Sequence, residues 1–110
     1  NCIAWAVGDP TVWWDCFPVG VHYWPAGVER SERLSCLTAV FESQGFGVCV
    51  SEEYESGFQK IVLYESEGDW THVARQLPSG SWWDIEHRRP EDLSGPLYGR
   101  PVLFMKRPLT

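Results

Sequence analysis

At 110 residues the chain has the length of one domain, and its 44% apolar and 22% charged residues supply a core without the need for cross-links. The formal net charge is −6 and the nine Lys and Arg are scattered, which excludes nucleic acid as the main partner, because phosphate binding needs clustered cations. No apolar run approaches the roughly 18 residues of a membrane span, and no basic segment leads into an apolar stretch, so a soluble, cytoplasmic protein without a membrane partner is expected.

Residues 1–110 read as a single domain, either whole or cut from a longer chain that starts upstream of Asn1 with a signal of its own. The segment from Asn1 to Gly8 predicts a two-turn helix, with Asn1 as N-cap and Gly8-Asp9-Pro10 as its stop. A helix this short needs packing through Ile3, Trp5 or Val7 to persist. Residues 9–30 mix prolines and glycines with Trp13, Trp14, Tyr23 and Trp24, which predicts a long loop pinned by its aromatics. Ser31 to Gln44 carries Leu34, Leu37, Val40 and Phe41 at helical spacing, with Ser31 as cap and Gly45 as terminator.

Strand-like runs follow over 46–50, 58–65, 70–77, 81–87 and 98–106. Glu67-Gly68-Asp69 and Pro78-Ser79-Gly80 are turn chemistry, so the middle three form an antiparallel meander, and Pro90-Glu91-Asp92-Leu93 reads as a helical turn. Helices first and strands afterwards predict an α+β domain, with N-terminal helices packed on an antiparallel sheet of about four to five strands.

The cysteines at 2, 16, 36 and 49 include no Cys-x-x-Cys pair, and Cys36 and Cys49 sit among apolar neighbours, so reduced thiols are expected. His22, His72 and His87 lie too far apart in sequence to suggest a zinc site, and no metal or other cofactor is expected. Cys2 is placed at the first helical position behind Asn1, where backbone N–H groups favour a thiolate, and His72 opens a strand that could aim at it. Cys2 as an ordinary core residue and His72 as a surface residue are the competing readings.

The runs Asn1-Cys2-Ile3-Ala4-Trp5-Ala6, Phe58-Gln59-Lys60-Ile61 and Thr71-His72-Val73-Ala74-Arg75-Gln76-Leu77, with Asp84-Ile85-Glu86-His87 and Leu97-Tyr98-Gly99-Arg100, resemble a bacterial domain family of unknown function. Its members resemble papain-like cysteine hydrolases in the order Asn-Cys, His, then a polar residue on the next strand. The resemblance implies a papain-like fold, Cys2 as nucleophile and His72 as base. The family pattern has a Ser-Lys-x-Gly element after Gly-x-Trp, whereas this chain runs Gly80-Ser81-Trp82-Trp83-Asp84 directly. If that element belongs to the site, this chain is weakened or inactive.

Hairpin register decides which residue orients His72. A two- or four-residue loop pairs Leu77 with Trp82 and puts His72 opposite His87, leaving Arg75 and Asp84 as a cross-strand ion pair. A three-residue Pro-Ser-Gly loop puts His72 opposite Glu86 and Ala74 opposite Asp84, which makes Glu86 the orienter and Asp84 the reserve. Asn1 is either a cap or an oxyanion donor, and Gln76 either an edge residue or a substrate contact. Trp24, and whichever of Trp82 and Trp83 faces outward, could wall a groove. Two functions follow: a thiol hydrolase or transferase acting on an amide or ester of a macromolecule, or a non-catalytic, acidic, Trp-rich protein-binding domain.

Overall fold

The structure, a computed structural model, describes residues 1–9, 11–85, 89–90, 93 and 99–109. Two short helices, α1 (Cys2–Val7) and α2 (Leu34–Ser43), precede the strands β1 (Gly47–Cys49), β2 (Phe58–Ser66), β3 (Asp69–Gln76), β4 (Trp82–Asp84), β5 (Arg89–Pro90) and β6 (Arg100–Pro108). The strands form one antiparallel sheet in the order β1-β6-β2-β3-β4-β5. The α+β class and the meander β2-β3-β4 are as the sequence predicts. Pro90 departs from it, pairing with Trp83 in the two-residue strand β5 instead of opening a helical turn. Glu91 and Asp92 lie outside the described residues.

Turn chemistry sets the registers. Glu67 (φ 55°) and Gly68 (φ 84°) both take the left-handed conformation between β2 and β3, as a type I′ hairpin turn requires. Between β3 and β4 the Leu77 N–H donates to Ser81 O (2.8 Å) and the Gly80 N–H to Leu77 O (2.8 Å), closing the three-residue loop around Gly80 at φ 91°. Arg75 therefore pairs with Trp83 and Gln76 with Trp82, which extends to Ala74 opposite Asp84. Of the two registers open to the sequence, this is the three-residue one.

Helix α2 starts two residues later than its polar residues suggest, with Arg33 and not Ser31 at the N-cap. Ser31 Oγ accepts from the Arg33 N–H (3.1 Å), a local turn, and does not cap the helix. The Leu34 N–H instead finds Gly68 O (3.0 Å), and the Trp70 N–H finds Glu32 O (2.9 Å). Long-range bonds to the β2–β3 turn thus satisfy the helix entry, a partner no local pattern reveals.

Side-chain alternation divides the sheet into two faces. On one, Ile61, Leu63, Val73 and Met105 pack beneath Ile3, Leu37, Val40 and Phe41 of the helices. On the other, Val62, Tyr64, Ala74 and Trp82 pack with Phe104 and Leu93. A bulge perturbs β3: Tyr64 pairs with His72 but Glu65 with Trp70, which leaves Thr71 as the extra residue. The bulge returns Trp70 to the helix-covered face while His72 stays with Tyr64 and Ala74 on the other.

Candidate functional site

Six residues are too few for a stable helix in water, and α1 persists because Asn1 caps its start and the sheet completes its end. At the N-terminus Asn1 Oδ1 accepts from the Ala4 and Trp14 N–H groups (3.2 Å each), while Nδ2 donates to Trp14 O. At the C-terminus Arg75 Nη1 donates to Trp5 O (3.0 Å), Gln59 Nε2 to Ala6 O (2.9 Å) and Arg107 Nη2 to Val7 O (2.7 Å). Two cations and an amide from β2, β3 and β6 therefore bond to the last carbonyls of the helix, where the Gly8 N–H reaches Trp5 O as well. The Arg75 guanidinium also lies 4.8 Å from the Trp5 ring centroid.

Asn1 is thus a cap and a tie to the loop, and its amide is spent on both rather than held for an oxyanion. Cys2 begins α1 as expected, but it is 6% exposed and packs in the helix-covered core with Ile3 and Ala4. Among the described residues no disulfide joins any of the four cysteines.

His72 and Asp84 form a pair on the opposite face. His72 Nε2 lies 3.5 Å from Asp84 Oδ1, with side chains 1% and 0% exposed. The pair is diagonal across β3 and β4, since Asp84 faces Ala74 and His72 is two residues along the same face. The Tyr64 ring centroid sits 5.5 Å from that of His72. Register therefore brings Asp84 to His72 beside Tyr64, while Cys2 packs in the helix-covered core. Glu86 lies outside the described residues.

The proposed binding residues divide differently. Gln76 is buried, and its Nε2 donates to Glu52 O and Gly80 O (3.1 Å each), so it staples two loops together. Trp24 is 5% exposed with Nε1 donating to Val28 O and Glu29 O (3.2 Å each), so it is a core anchor and not the exposed aromatic the sequence suggests. Trp82 is buried and Trp83 half-buried, the alternation expected of adjacent residues in a strand.

Exposed apolar side chains do lie elsewhere in the 9–30 loop. Val12, Trp13, Phe17, Val19, Val21 and Tyr23 are each between 43% and 65% exposed. Beneath them Trp14 is 3% exposed, its ring 4.4 Å from that of Tyr23 in an edge-on contact. Backbone bonds from the Tyr23 N–H to Trp13 O (2.9 Å) and from the Asp15 N–H to Tyr23 O (3.1 Å) hold the two limbs of the loop together. Sequence reasoning singled out the aromatics but missed Phe17, Val19 and Val21. Their signal is apolar residues around Pro18 and Gly20, where no period gives them a buried face.

A concavity of about 470 Å³ opens between the loop at 52–54 and the β3–β4 turn, on the side of the sheet that carries Trp82. Among the described residues no helix is long and apolar enough to cross a membrane. No curated protein and no solved structure matches the chain. Residues 1–106, nearly the whole length, match one family, so the fold and surfaces described above belong to a member of the domain of unknown function DUF7689.

Proposed function

We propose that this chain is a protein-recognition domain whose contact surface is the apolar loop over residues 11–23. The observation that carries the reading is six large apolar side chains exposed between residues 12 and 23, on a backbone pinned by Trp14 and Asn1. Contiguous exposed apolar surface on a small domain marks an interaction site, and a pre-ordered one loses little entropy when it binds. The partner is a basic protein: at net charge −6 the chain repels its own copies and attracts a cationic surface. Trp13, Phe17 and Tyr23 supply the anchors, with the charges setting orientation and association rate.

A test is selection of random peptides displayed on phage against the wild-type chain. Survivors are expected to combine an aromatic or aliphatic anchor with Lys or Arg, and Trp13→Ala is expected to weaken them at least about 30-fold. Survivors that bind Trp13→Ala with Phe17→Ala as tightly as wild type would sink the reading.

A second reading, a papain-like thiol hydrolase, draws support from the buried His72–Asp84 pair and from Cys2 at the start of a capped helix. It requires that the base come within hydrogen-bond reach of its nucleophile, and Cys2 packs in the helix-covered core. The rate of alkylation by iodoacetamide separates the two readings. In the binding reading Cys2 reacts more slowly than half-exposed Cys49 at every pH below about 8.5. Preferential alkylation of Cys2 near neutral pH would favour the hydrolase.

A further inference from the structure

Gln76 is a buried side chain that ties two loops together at a fixed distance. Its one amide nitrogen donates to Glu52 O on one side and to Gly80 O on the other (3.1 Å each). The concavity of about 470 Å³ lies between those loops, with Gln76 and Trp82 among its lining and Tyr54 and Leu93 adding apolar wall. Glu52 and Glu53 complete it from the exposed side. Their neighbour Glu55 is engaged by Lys106 Nζ (2.9 Å) and Lys60 Nζ (3.5 Å), and the Lys106 bonds hold its carboxyl below the usual range. Among the described residues Glu52 and Glu53 have no such cation.

We infer that this cavity receives the guanidinium group of an arginine side chain. A flat, weakly hydrated cation with five donors suits a site that combines aromatic and apolar walls with carboxylates, stacking on the former and bridging to the latter. An anion would meet two carboxylates at the mouth, and a purely apolar ligand would leave them to be desolvated without return. The Gln76 staple makes the cavity a pre-formed one, because neither loop can close without breaking a bond to a buried amide. This site is separate from the apolar loop over 11–23 and stands on its own observations.

The test uses nitrogen-15 NMR of the full chain titrated with Nα-acetyl-L-arginine amide, and with Nα-acetyl-L-citrulline amide as a neutral near-isostere. Saturable shifts are expected at Tyr54, Gly80, Ser81 and the Trp82 indole with the arginine compound, and an affinity for the citrulline compound at least about 10-fold weaker. The double variant Glu52→Gln with Glu53→Gln, whose changes are exposed and whose spectrum otherwise overlays wild type, is expected to weaken arginine binding by about 10-fold or more. Equal shifts with both compounds, an unchanged affinity in the double variant, or shifts centred away from these residues would each overturn the assignment.

Discussion

Asp84→Ala lowers the unfolding free energy by about 3–5 kcal/mol, the cost of removing one partner from a buried ionisable pair. His72 is 1% exposed and has Asp84 Oδ1 3.5 Å from its Nε2, so the alanine variant takes a carboxylate away from an imidazole that water does not reach. Urea unfolding followed by tryptophan fluorescence measures the change, with the denaturant slope unchanged if the native fold is kept. Asp84→Asn keeps the volume and an acceptor oxygen and loses less. A loss below about 1 kcal/mol for Asp84→Ala would mean the pair contributes only as a surface ion pair does.

Trp14→Ala has an effect of similar size for a different reason. The indole is 3% exposed and the ring of Tyr23 stands against it, so its loss opens a cavity under the 11–23 loop, costing about 3–5 kcal/mol. The backbone ties to Asn1 do not depend on the side chain, so α1 keeps its cap and the loop alone loosens. Hydrogen exchange is expected to quicken at Asp15 and Tyr23, whose N–H groups close the loop, and to stay slow in β2. A uniform rise in exchange across the sheet would show instead that Trp14 supports the whole core. Because the same loop carries the proposed recognition surface, Trp14→Ala also weakens peptides selected on that surface without touching its exposed residues.

Local chemistry was readable where it acts on neighbours in sequence. Asn1 as cap and Gly8 as stop needed only the residue types, and so did the Glu67-Gly68 turn, where the hairpin demands two left-handed residues in succession. The α2 start was misread because Ser31 looks like a cap, yet the helix entry is satisfied by Gly68, more than thirty residues away. Trp24 and Trp13 look alike in sequence, and only packing against Val28 and the core decides that the first is inside and the second outside.

The candidate site divides along the same line. Residue types and spacing put forward Cys2, His72, Asp84 and Gln76. The α+β class and the middle meander followed from patterning alone, since periodicity and turn residues are properties of short stretches. Register and face are not. The three-residue loop at Pro78-Ser79-Gly80 selected one of two pairings, bringing Asp84 to His72 and setting Arg75 against the carbonyl of Trp5. The bulge at Thr71 then let Trp70 rejoin the core while His72 stayed beside Tyr64. One residue of slip exchanges the two faces of a strand, so which chemical groups meet is decided by the paired sheet and not by the order of residues along the chain.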